Sequence, residues 1–228
     1  MLAMTQPPRL WKIGVVSEGP TDFLVLKAVI VALLGEQPVE FRRIHPDEIM
    51  ISPFGNGWRG VQRWCQEYGP TLESFMRDIP SDMLDLLVVH VDGSVAGEQD
   101  ISVAKPCPPP KPTADALREV ISRDWLQRPL LPSFLVLATP MVDTETWVVS
   151  AVAPPEKAIC ECDAKVWRTL VELKRLGTKD GKLKKNQAAY RPLAEAVGRE
   201  LARVRTACTE AERFCEDFRV ATNGDVPP

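Results

Sequence analysis

Apolar residues along this chain follow two spacings, and the switching between them predicts the order of its elements. Residues 12–17 are short, β-branched and bounded by a turn, the pattern of a first strand. Residues 23–34 form an apolar, helix-like run, with Thr21 or Asp22 near its cap and Gly35 past its end. Residues 39–44 alternate as a second strand, and residues 58–76 are helical with a break around Gly69-Pro70. Residues 84–91 are nearly all apolar, which predicts a third strand buried on both faces. Residues 104–112 then hold five prolines in nine positions. Proline lacks the amide donor, so this stretch is neither helix nor interior strand but a stiff loop, serving as a linker or a binding loop.

Beyond the prolines, residues 113–126 read as a helix capped by Thr113, 133–138 as a fourth strand, and 143–152 as a helix starting near Asp143 or Thr144. Helices follow over 164–176 and 188–218, separated by a turn at Gly177–Gly181; Val197, Leu201, Val204 and Cys208 share one face. The last quarter carries no strand signal. Strands alternating with helices predict an α/β fold with a four-stranded, mainly parallel sheet and right-handed crossovers. The expected organisation is an α/β core over residues 1–152 and a helical, basic extension over 153–228 packed on that core.

Composition narrows the function classes. The chain has 228 residues, 45% hydrophobic and 26% charged, which is ordinary for a globular protein. No apolar run approaches the roughly 20 residues that span a bilayer, and the N-terminus lacks the basic start and apolar core of a signal peptide, so a cytoplasmic location is expected. The six cysteines at 65, 107, 160, 162, 208 and 215 fit neither zinc-ligand spacing nor a disulfide framework, and only two histidines are present; reduced, packed thiols are expected. The net charge of −3 hides a basic stretch, since residues 165–205 carry 12 Lys or Arg against 4 Asp or Glu. That stretch is either a contact surface for phosphates or an acidic partner, or a solvated helix face. Its densest part is Lys179, Lys182, Lys184, Lys185 and Arg191, with Tyr190 beside them as a candidate for stacking on a base.

The chemistry sits where strands end. The first strand delivers Glu18 to a Gly19-Pro20 turn, and the third delivers Asp92 to Gly93. In open parallel sheets, ligands bind at the carboxyl ends of strands, so the two carboxylates can converge above one sheet edge. Such a pair can hold a divalent metal and support phosphate chemistry. The same residues also suit structural roles: a strand end and turn with a helix cap at Thr21-Asp22, a common Asp-Gly turn at Asp92-Gly93, a hydrogen-bonded core histidine at His90, and helix packing at Trp147.

Strand-Glu18-Gly-Pro-Thr-Asp22-helix, followed later by strand-Asp92-Gly93-Ser94, resembles the layout of the TOPRIM fold of topoisomerases, bacterial primases, recombination proteins and nucleases of the overcoming-lysogenization-defect type. Val88-Val-His-Val-Asp-Gly93 and Asp143-Thr-Glu-Thr-Trp147 are similar to a small TOPRIM-like family of bacterial defence loci. The resemblance covers about residues 12–151. It implies a Mg²⁺- or Mn²⁺-dependent nuclease of DNA or RNA in defence against phage or plasmids, with Glu18 as acid/base or metal-proximal carboxylate and Asp92 as metal ligand. The family's second acid falls at Ser94, which can coordinate through oxygen but adds no charge. Glu98 or Asp100 can supply the missing carboxylate if the loop folds back, and Glu145 can do so from the end of the fourth strand. The rival expectation is a TOPRIM domain without a working metal centre, acting as a binding or regulatory subunit. No Gly-x4-Gly-Lys-Ser/Thr loop occurs, so an ATPase partner would be another chain. A homodimer remains open, and a primase or nucleotidyltransferase has weaker support.

Overall fold

The computed structural model describes residues 9–47, 52–78, 83–103 and 109–222. Four strands, β1 (Trp11–Val16), β2 (Val39–His45), β3 (Leu86–His90) and β4 (Leu135–Ala138), pair in parallel in the order β2-β1-β3-β4. The chain therefore leaves β1 for β2 on one side, then crosses back over β1 to β3 and β4 on the other. Helix α1 (Pro20–Leu34) lies on one face of the sheet; α2 (Gly57–Tyr68), α3 (Leu72–Asp78) and α4 (Lys111–Val120) lie on the opposite face.

The near-continuous apolar character of β3 and β4 follows from this layering, because successive side chains point to opposite faces. Leu86 and Val88 join the core under α1, whereas Leu87 and Val89 join the core under α2 and α4. Val136 and Ala138 divide from Leu135 and Leu137 in the same way. Each fully buried Val or Leu here contributes roughly 1.5–3 kcal/mol relative to exposure.

The break expected at Gly69-Pro70 is a 3₁₀ turn, Gly69–Thr71, between α2 and α3. Its freed carbonyls are taken up by Arg128, whose Nε and Nη2 donate to Gly69 O at 2.7 Å and Pro70 O at 3.1 Å. Two sequence expectations change in the middle of the chain. Helix α4 begins at Lys111, ahead of Thr113, which is a buried residue inside the first turn rather than the cap. Pro112 fits there because a first-turn amide has no helical acceptor to lose. The rest of the proline-rich stretch, residues 104–108, lies outside the described residues.

The last third departs further from its periodicity. Helix α5 (Glu145–Val152) follows β4, and α6 spans only Arg168–Glu172. A hairpin, β5 (Thr178–Lys179) with β6 (Lys182–Leu183), stands where no strand was expected. Its turn residues Asp180 and Gly181 both have positive φ, 52° and 72°, the backbone that an Asp-Gly hairpin turn needs. The mostly helical stretch expected over 188–218 is three helices: α7 (Gln187–Arg199), α8 (Leu201–Ala207) and α9 (Thr209–Ala221). A straight 31-residue helix would run roughly 46 Å, beyond the width of a small domain. Turning at Glu200 and Cys208 keeps Val197, Val204, Phe214 and Phe218 on the core.

These helices close one whole face of the sheet. Tyr190, Leu193 and Val197 share a core with Ile13, Val15, Leu26 and Ile30. α7 crosses α1 so closely that a Cβ on Gly198 would lie 2.9 Å from Ala28 O. Among the described residues, no helix is long and apolar enough to cross a membrane.

Candidate metal centre

The order β2-β1-β3-β4 reverses between β1 and β3, and in such sheets the crevice above that point is where ligands bind. Glu18 follows β1 and Asp92 follows β3, so both stand at this crevice. The N-termini of α1, α5 and α7 point to it as well, with Gly19, Thr144 and Asn186 at their N-caps. The exposed amides and dipoles of helix N-termini favour negative charge, which helps to explain how several carboxylates can crowd together here.

A cleft of about 610 Å³ opens at this point, lined by Glu18, Thr21, Asp22, Asp92, Lys185 and Gln187 among others. Glu18 Oε1 accepts a hydrogen bond from the Asp92 amide at 2.7 Å, and the Glu18 carbonyl accepts from Gly57 N at 3.2 Å. Asp92 Oδ1 accepts from the Thr144 amide at 3.0 Å and from Thr144 Oγ1 at 3.1 Å. His90 Nε2 lies 2.8 Å from Thr144 Oγ1 and 3.4 Å from Asp92 Oδ1. Since that hydroxyl gives its proton to Asp92, it accepts from His90, which assigns a proton to Nε2. Gly93 lets the Asp92 turn lie flat on the loop after β4: a Cβ there would stand 3.0 Å from both Met141 Cα and Val142 N.

Ionisation follows from burial and crowding. Glu18 keeps some exposure through the cleft mouth, yet burial of its carboxyl, then the Asp92 charge, pushes it up to about 8. Asp22 is raised to about 6, by burial first and then by Asp92. Burial is the largest influence on Asp92 and alone would raise it, but the hydrogen bond and charge of His90, with Lys185 and Thr144, together outweigh it and hold the carboxyl low. Burial alone would lower His90; its hydrogen bond with Asp92, with the surrounding carboxylates, lifts it to about 9. Asp143 is pushed well up by burial and by Glu145.

Glu18, His90 and Asp92 each offer a ligand atom within 4.8 Å of the others, so this buried group can hold a metal ion. Asp22 Oδ1 and His90 Nδ1 are buried without a hydrogen-bond partner among the described residues. A buried carboxylate oxygen without a partner, on a residue that lines an acidic cleft, is the kind of atom a cation satisfies. The oxygen-rich donor set suits a hard divalent ion.

Glu145 stands 1% exposed at the start of α5, accepting from the Tyr190 hydroxyl and pairing with Lys185 Nζ at 2.7 Å. Burial opposes the charge of Lys185, and Glu145, Asp22 and Asp92 together more than restore it. Tyr190 is wholly buried, so it has no face for a base, contrary to the stacking role considered for it. Trp147 packs in the core at 5.9 Å from Phe214. Ser94 and Glu98 are exposed and do not line the cleft, and Asp100 pairs with Arg59 at 2.9 Å. Lys179, Lys182 and Lys184 are exposed on or beside the β5-β6 hairpin, next to Lys185 in the cleft wall. Arg191 lines a separate groove between α1 and α7.

Asp22, which the sequence offered only as a helix cap, is the third carboxylate of the cleft. Its spacing held the signal: four positions after Glu18, across a Gly-Pro turn, it returns on the first turn of α1 beside the strand end. Compared with protein-family models, with curated proteins and with solved structures, the chain matches none.

Proposed function

We propose that this protein is a divalent-metal-dependent phosphodiesterase of TOPRIM type that acts on DNA or RNA, with Mg²⁺ or Mn²⁺ as its ion and prokaryotic defence as its setting. The observation that carries this reading is the convergence of Glu18, Asp22 and Asp92 on one cleft at the β1/β3 crossover point, with the Asp22 Oδ1 atom unpartnered. Glu18, His90 and Asp92 would hold the ion, with Asp22 on the cleft wall as a further carboxylate beside it. When bound, such an ion polarises a phosphoryl oxygen and lowers the pKa of water.

The chain's own groups do the rest. Asp92 is fixed by Thr144 and His90 and stays ionised. In the metal-free cleft Glu18, held by the Asp92 amide and raised to about 8, carries a proton near neutral pH, which it would give up on taking the ion. Lys185 brings a positive charge to the cleft wall, and Lys179, Lys182 and Lys184 extend that charge along a nucleic-acid backbone. A non-catalytic binding subunit draws support from Ser94, which puts no acid beside Asp92; Asp22 supplies a third carboxylate from α1 and counts against it.

The test is a cleavage assay on plasmid, single-stranded DNA and transfer RNA with Mg²⁺ or Mn²⁺, using wild type, Glu18→Gln and Asp92→Asn. Metal-dependent cutting lost in both variants is the expected result. Cutting that survives both substitutions removes the assignment of this site. No cutting and no metal-induced rise in melting temperature returns the protein to the non-catalytic class.

A further inference from the structure

A second cavity, of about 540 Å³, opens on the other side of the loop that borders the cleft. The loop connects β2 to α2. Ser52, Pro53 and Phe54, ahead of α2, line the second cavity, while Gly57, the first residue of α2, lines the cleft and donates to Glu18 O. The described segment 52–57 thus borders both spaces.

The walls of this cavity are aromatic. Phe54, Tyr68 and Phe75 are each half-buried and converge, with ring centroids 5.9 Å apart for Phe54–Tyr68 and 4.9 Å for Tyr68–Phe75. Trp64 lies behind them, 5.2 Å from both Tyr68 and Phe75. These rings meet at 41° to 85°, so no pair among them is stacked face to face. The rim carries exposed Arg42, on edge strand β2, together with Arg43 and the acid Asp47. Phe54 is held in place from both sides. Arg63 Nη1 donates to its carbonyl at 2.7 Å, and its own amide donates to Ser52 Oγ at 3.3 Å. Ser52 Oγ is in turn 3.0 Å from His45 Nδ1.

Half-buried aromatic rings beside a guanidinium are the chemistry that binds unpaired bases and their phosphates. A base-paired duplex has no free base face to offer them. A peptide strand adding to the edge of β2 is the competing occupant, but it would make no use of the loop shared with the cleft. We propose that this groove is a stacking subsite for unpaired bases flanking the phosphodiester held in the cleft, so that the substrate is single-stranded on that side. The placement of the flank rests on the phosphodiesterase reading, whereas the binding itself rests on the groove alone.

The test measures fluorescence-anisotropy Kd values for labelled oligo-dT, oligo-U and a blunt DNA duplex in an Asp92→Asn background, which removes cutting. Adding Phe54→Ala is expected to weaken single-strand binding about tenfold while leaving duplex binding unchanged, and Phe54→Trp to restore it. Arg42→Glu, an exposed change that leaves folding intact, is expected to weaken single-strand binding and reduce its salt dependence. The two oligomers distinguish DNA from RNA as the source of the bases. Single-strand binding indifferent to both Phe54→Ala and Arg42→Glu, an equal loss on duplex, or no single-strand binding at all overturns the proposal. Indifferent binding would leave the groove to a peptide. Failure of the cleft looks different: no metal-dependent cutting in wild type, with Phe54-dependent binding intact.

Discussion

Asp22 Oδ1 is buried without a partner on the first turn of α1, and burial together with Asp92 raises its carboxyl to about 6. A charged group in that position destabilises the metal-free protein and is relieved by a cation, the exchange of stability for function common at binding sites. Asp22→Asn removes the charge and keeps the shape. It is expected to melt higher than wild type without metal, by about 2–4 °C for each kcal/mol gained, and to lose the rise that Mn²⁺ or Mg²⁺ gives wild type. A thermal shift assay with and without the ion reads both. An unchanged metal response in the variant would take Asp22 out of the site. At this scale the sequence showed Glu18 and Asp92 through their strand-end positions. It did not show His90 or Asp22 as site residues, because one lies inside an apolar strand and the other at a helix start, where structural roles are commoner.

Between α5 and α6 the chain is tied to α9 by a buried carboxyl. Glu161 Oε2 accepts from Thr209 Oγ1 at 2.9 Å, while its Oε1 is buried without a partner among the described residues. Burial raises Glu161 to about 7 from an ordinary value of 4.5. Between those values the folded protein keeps a proton that the unfolded chain has released, so this group's contribution to stability falls as pH rises through the window. Glu161→Gln has no proton to lose. Its melting temperature relative to wild type is expected to be level near pH 4.5 and to climb until about pH 7, then hold constant. A flat difference across that range would place the group in water. Elements such as β1, α1, β3 and the 3₁₀ break were legible because pattern and turn residues agreed. The β5-β6 hairpin was not, since two-residue strands are too short to show a period, although Asp180-Gly181 carried its turn chemistry.

Taken whole, the molecule has no separable face for its last helices to leave. Tyr190, Leu193, Val197, Phe214 and Phe218 fill the same core as β1 and α1, and the first of them holds Glu145 beside the cleft. A chain ending at residue 186 would expose that apolar surface and take the Tyr190 hydroxyl away from Glu145. It is expected to lose its cooperative melting transition and bind a hydrophobic dye. A sharp transition in the shortened chain would show that residues 9–186 close a core by themselves.

The sequence by itself determined the α/β class, the parallel strands and the two strand-end acids, because these follow from local periodicity and turn residues. Only the tertiary structure decided which acids meet. The strand order places β1 beside β3, α1 returns Asp22 to Glu18, and the segment after β6 with α7 brings Lys185 and Tyr190 to Glu145 from about 40 residues away, a separation visible in the chain itself. Such contacts arise from burying apolar faces on both sides of one sheet, and no local pattern encodes the partner that each face finds.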